Sequence, residues 1–129
     1  MKYVCFGYLD VQNWETKSEG ERNAMIDECF TYDDTLRRNG NWLNGDGLQG
    51  GATTLRYKKG QLSVTDGPFA ETKELLGGLL ILEARDLNHA IQLISNHPGV
   101  KMGPWEMRPV QDLGDMIRES EKRRSSVAK

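Results

Sequence analysis

The sequence holds little of what usually announces a specialised chemistry. Its two cysteines, Cys5 and Cys29, stand far apart, in no C-x-x-C pair and beside no histidine. That excludes a disulfide framework and a thiolate metal knuckle, and both read as buried free thiols of a reducing compartment. The two histidines, His89 and His97, share no carboxylate at metal-ligand spacing, so neither a metal nor a cofactor is expected. The longest apolar run, residues 75–82, has eight residues and includes two glycines. A bilayer-spanning helix needs about 20, so no membrane partner is expected. Seventeen basic and nineteen acidic side chains leave a formal charge of −2, which argues against nucleic-acid binding through bulk electrostatics. The opening Met1-Lys2-Tyr3-Val4-Cys5-Phe6 is strand-like and precedes no small-residue cleavage site, so a cytoplasmic location is expected. There is no P-loop, dinucleotide fingerprint or serine-histidine-acid spacing.

What remains is a chain of 129 residues, the length of one domain, with 37% hydrophobic and 28% charged residues. Fourteen glycines against four prolines imply several tight turns. Residues 2–9 are rich in Val, Tyr and Phe and predict a strand. Residues 10–17 read as a polar connection. A helix begins near Ser18, where Ser18-x-x-Glu21 has the form of a capping box. Met25, Cys29, Tyr32 and Leu36 follow at helical spacing, with Ile26, Phe30 and Asp33 flanking them, so one stripe faces a core. Arg37 and Arg38 suit the end of that helix, and Gly40 stops it.

Residues 41–49 predict a second strand. Residues 53–57 and 61–65 flank Lys58-Lys59-Gly60 as a hairpin. Asp86 can cap a second helix carrying Leu87, Ala90, Ile91 and Ile94, which Pro98 ends. Residues 104–110 form a last strand and 112–120 a short helix. Strand, helix, strands, helix, strand is the ferredoxin-like α+β order, a mainly antiparallel sheet with two helices on one face, here with an extra hairpin. The domain spans residues 1–117. Residues 118–129 form a solvated basic extension, with Arg118, Lys122, Arg123, Arg124 and Lys129 against Glu119 and Glu121.

A sheet covered on one face should alternate apolar and polar residues, and 75–82 does not. A second subunit over the open face, hence a homodimer, is the simplest cover. The alternative is the C-terminal helix folding across it.

The densest polar stretch is Asp66-Gly67-Pro68-Phe69-Ala70-Glu71-Thr72-Lys73-Glu74, a stiff turn before the most apolar strand. Asp66 and Glu71 are candidate proton-transfer groups, and Phe69 and Lys73 candidate ligand contacts. Against this, Asp66 can simply bond backbone amides and Lys73 can pair with a neighbouring acid. His97 can act as acid or base at neutral pH, or merely cap its helix end. In the last strand Trp105 and Met107 alternate with Glu106 and Arg108. The latter two therefore share a face, either as an ion pair between subunits or as ligand-binding groups. Asp66, Glu71, Lys73, His97 and Arg108 are expected to border one pocket.

The nine-residue run resembles the signature of the YCII-related family, in the branch named for its DGPF motif. Met1-Lys2-Tyr3, Gly45-Asp46-Gly47-Leu48, Leu76-Gly77-Gly78 and Glu106-x-Arg108-Pro109-Val110 extend the resemblance over residues 1–110. It implies a ferredoxin-like fold that dimerises sheet to sheet, the dimeric α+β barrel. It also implies kinship with dehydrochlorinase-like enzymes acting on ring compounds, and the same barrel hosts muconolactone isomerase-like enzymes. In some members a histidine–aspartate pair has been proposed as a catalytic dyad. Here Asn96-His97-Pro98 stands where the acid of that pair would fall, and the first helix, residues 25–36, holds no histidine. The pair is absent in that form, and acid–base chemistry would fall to His97 with Asp66 or Glu71. Two readings follow. One is a cofactor-free lyase, isomerase or dehydrochlorinase-like enzyme acting on a small anionic molecule. The other is a non-catalytic ligand-binding or accessory module in which the DGPF turn is structural.

Overall fold

The computed structural model describes residues 1–67 and 74–127. Strand β1 (Lys2–Asp10) is followed by a short helix α1 (Val11–Glu15) and the long helix α2 (Glu19–Arg38). Strand β2 (Trp42–Gly47), the hairpin β3 (Thr53–Lys58) and β4 (Gln61–Asp66), and the central strand β5 (Glu74–Glu83) come next. Helix α3 (Leu87–Ser95), a 3-10 turn (Pro98–Lys101), strand β6 (Trp105–Pro109) and helix α4 (Gly114–Val127) complete the described chain. The main sheet runs β2-β5-β1-β6, with all three pairings antiparallel. With the hairpin set aside, that is the expected ferredoxin-like order.

The elements form for local reasons. Ser18 accepts from the Glu21 amide while the Glu21 carboxylate accepts from the Ser18 amide, so the capping box closes and fixes the start of α2. Asp86 caps α3 through the His89 amide at 2.8 Å. Lys59 and Gly60 both adopt positive φ, the conformation a two-residue hairpin turn between Lys58 and Gln61 demands.

One face of the sheet carries Tyr3, Cys5, Leu80 and Leu82, all buried. Leu36 from α2 and Ala90 and Ile94 from α3 close over them, so both helices lie on this face. Leu82, Leu36 and Cys5 are the largest fully buried side chains and form the centre of the core. The opposite face has a different character. Val4 pairs with Ile81 and Arg108, and Phe6 with Leu79 and Glu106, so these six side chains share it. Its four apolar members remain half-exposed and its two charged members exposed.

Two segments depart from the sequence reading. The connection after β1 contains α1, because the Asp10 carboxylate accepts from the Asn13 amide and starts a turn of helix. The terminal helix continues past residue 120 to Val127, its exposed surface carrying the Arg118–Asp115 ion pair and an Arg124 contact to Ser120.

Candidate functional site

Cys29, Asp33 and Arg37 recur every fourth residue along α2 and therefore form one stripe on its inner side. Beneath that stripe the sheet has almost no side chains. Gly47, Gly78 and Gly7 are direct neighbours across β2, β5 and β1, and Trp105 of β6 ends the row. The space between helix and glycine row is a cavity of about 390 Å³, open at one side.

Two indole rings wall it. A Cβ on Gly7 would sit 2.9 Å from the Trp105 ring, and one on Gly45 would sit 2.5 Å from the Trp42 ring. Each tryptophan thus lies over a glycine, a position that a larger residue would deny it. Trp42 in turn carries the Arg37 guanidinium over its face.

At the back of the cavity His97 is 5% exposed and has both ring nitrogens engaged. Nδ1 accepts from the Gly99 amide at 2.9 Å, which makes His97 the cap of the 3-10 turn. Nε2 lies 2.8 Å from Asp33 Oδ1. The ring is clamped by Trp105, with centroids 4.9 Å apart, and edge-on by Tyr32 at 5.4 Å. Tyr32 is itself held by a hydrogen bond from its hydroxyl to the Leu93 carbonyl. Burial, aided by the nearby Asp33 and Glu28 charges, pushes the Cys29 thiol up to about 11, so it stays protonated near neutral pH. Among the described residues no three His, Cys, Asp or Glu side chains converge as a metal site. No helix among them is long and apolar enough to cross a membrane.

The structure distributes the residues singled out from the sequence over three places. His97 lines the cavity. Glu106 and Arg108 project from the opposite side of β6, because Trp105 and Met107 take the helix side and alternation sends their neighbours away. Asp66 is exposed at the end of β4, where Gly67 is tied back to Thr54 and Ala52, and it does not line the cavity. Phe69, Glu71 and Lys73 lie outside the described residues. A single pocket shared by Asp66, His97 and Arg108 is therefore not formed within one chain. The acid beside His97 is Asp33, 64 residues earlier, and neither Asp66 nor any residue of the last strand. Asp33, Arg37 and Trp42 were not singled out as functional. The signal available was the four-residue spacing of Cys29, Asp33 and Arg37, two charges on the inward stripe of an amphipathic helix.

The histidine that meets Asp33 follows α3, and the aspartate stands on α2. The model of the YCII-related domain matches residues 1–114. The chain belongs to the YCII-related family. A relative, an uncharacterized protein of Rhizobium meliloti (strain 1021), is 38% identical over 61 residues. That match takes in 46% of this chain and 49% of the relative, so the chain spans about half of the curated relative's length. A similar solved structure is the 5-chloro-2-hydroxyhydroquinone dehydrochlorinase (TftG) from Burkholderia phenoliruptrix AC1100, in complex with 2,5-dihydroxybenzoquinone. It has 17% sequence identity and a TM-score of 0.46, and the match covers 86% of this chain and 94% of that one.

Proposed function

We propose that the cavity between α2 and the glycine row is an active site for cofactor-free acid–base chemistry on a small anionic molecule. The observation that carries this reading is the Asp33–His97 pair, a carboxylate and an imidazole 2.8 Å apart and lining an open cavity. A histidine and a carboxylate held in hydrogen-bond contact at a cavity wall are suited to proton transfer. Arg37 supplies a permanent positive charge at the same cavity, fitting a carboxylate, phenolate or enolate. The glycine row and the two indole walls favour a flat molecule. A proton shift or an elimination fits this equipment without a redox group.

The test is proton exchange in heavy water. A panel of enolisable carboxylates, with phenylpyruvate as the first member, is incubated with the protein and deuterium uptake is followed by NMR. Exchange above the uncatalysed rate that disappears in Asp33→Asn supports the enzyme. Panel members that bind in the cavity yet exchange no faster than with Asp33→Asn would make it a binding module.

We also infer that the chain pairs with a second copy across the open sheet face. Val4, Phe6, Leu79 and Ile81 form a contiguous apolar patch there, of the kind stable monomers seldom leave to water. The hairpin presents a second apolar face of its own. Leu55 pairs with Val64 and Tyr57 with Leu62 on one face, and these four side chains are between 59% and 73% exposed.

A further inference from the structure

We propose that Asp33, and not His97, carries the proton in this cavity, with His97 a positioning residue that keeps its own proton on Nε2 throughout. This rests on the acid–base reading above and goes further by assigning the proton to one atom.

The assignment follows from counting lone pairs. A neutral imidazole has one nitrogen that donates and one that accepts. Gly99 donates its amide hydrogen to Nδ1, so Nδ1 is the acceptor and the ring hydrogen sits on Nε2. Nε2 therefore donates to Asp33 Oδ1. For His97 to act as a base it needs a lone pair facing the substrate, and its only one is bound to Gly99 inside the turn it caps. Protonating Nδ1 would set two N–H groups against each other at 2.9 Å. For His97 to act as an acid it would have to surrender the Nε2 hydrogen and become an imidazolate. Rotation of the ring to free either nitrogen is opposed by Trp105 on one side and Tyr32 on the other.

Asp33 has what His97 lacks. Its side chain is 14% exposed and lines the cavity. One oxygen is held by His97, and the other accepts no hydrogen bond among the described residues. The remaining titratable groups around the pair do not compete for the role. Cys29, one turn earlier, keeps its proton up to about 11. Arg37, one turn later, is permanently charged, Tyr32 presents its ring with its hydroxyl donated to Leu93, and Asp46 of β2 is in register with Leu79 of the open face, so its side chain leaves the sheet on the side away from the helices.

The step balances without a further reactant. A C–H bond next to a substrate carbonyl breaks, its proton forms an O–H bond on the free oxygen of Asp33, and the electron pair moves into the carbonyl as an enolate beside Arg37. Return of that proton to a different carbon of the same molecule gives an isomer. The hydrogen bond from His97 holds the carboxylate's orientation in both directions, which is the positioning role.

The experiment is long-range 1H–15N correlation NMR of the full chain with 15N-labelled histidine rings, from about pH 5.5 to about pH 8.5, the span over which histidines ordinarily titrate. The expected result is the neutral Nε2–H pattern for His97 at neutral pH and above. A neutral Nδ1–H pattern or an imidazolium there would overturn the proposal. A second arm uses phenylpyruvate exchange with Asp33→Asn and His97→Gln, the glutamine amide being able to donate to Asp33 in place of Nε2. Asp33→Asn should lose at least about a hundredfold and His97→Gln no more than about tenfold. The reverse ranking, with His97→Gln folded and inactive, would also overturn it. If the unaltered protein exchanges no panel member, the enzyme reading falls while the ring pattern still decides which nitrogen holds the proton.

Discussion

The Arg37 guanidinium lies 4.2 Å from the centre of the Trp42 ring while donating to Asp34 at 2.8 Å. One face of the cation is thus spent on an indole, and one edge on a carboxylate outside the cavity. Its remaining donors are left for an anion. Arg37→Ala should weaken binding of benzoate, read by tryptophan fluorescence, by about tenfold or more, the scale of one charge-assisted hydrogen bond. The Asp34 pair is exposed and the Trp42 contact half-exposed, so stability should fall by no more than about 1.5 kcal/mol. Arg37→Lys should recover the charge but not the stacked, planar geometry, and so only part of the affinity.

Trp42 depends on Gly45 for its seat. Gly45→Ala puts a methyl group 2.5 Å from the ring, so either the ring or the strand must move. A cost of about 1–3 kcal/mol is expected, the usual range for overpacking. Chemical denaturation measures the loss. Anion binding should fall with it, and retention of full affinity would show that Trp42 does not shape the site.

Phe6 sits at the middle of the open sheet face, beside Leu79 and opposite Glu106. Phe6→Asp should give a folded monomer at micromolar concentration in light scattering, where the unaltered chain should give a dimer. A monomer before the substitution, with the same circular dichroism, would refute the pairing.

The two thiols make stability fall at alkaline pH. Burial holds Cys29 up to about 11 and Cys5 up to about 12, against 9.0 ordinarily. Both values are raised, so below about pH 9 folded and unfolded chains are equally protonated at these sites and no stability is lost. Above it the unfolded chain releases protons that the folded chain keeps, and the balance shifts toward unfolding until the folded values are passed. The urea midpoint should therefore drop between about pH 9 and about pH 12, and Cys29→Ala should remove part of the slope.

Much of the architecture was legible from local patterns. The capping box at Ser18, the Asp86 cap and the Lys59-Gly60 turn each depend on neighbours within a few residues, and all three form as the pattern says. The candidate site was not legible in the same way. Asp33 and His97 meet across 64 residues, and the glycine row joins three strands, so no spacing rule connects their members. Asp33 was visible only as a polar residue flanking an apolar helix stripe. The exposed position of Asp66 has a related cause, because among the described residues the hairpin that carries it pairs only with itself, in a sheet separate from the main one.

A floor made of main chain has consequences for how this fold diversifies. Side chains can be exchanged one at a time, whereas a backbone surface changes shape only if strands shift together. Gly47, Gly78 and Gly7 present no side chain to alter, and substituting Gly7 collides with Trp105. The shape of what fits must then be set from the other side, by Cys29, Phe30, Asp33 and Arg37 along α2. Cys29 and Phe30 carry neither the proton nor the anchoring charge, so selection for a new ligand, in nature or in a library, has a compact target on one helix over a fixed stage.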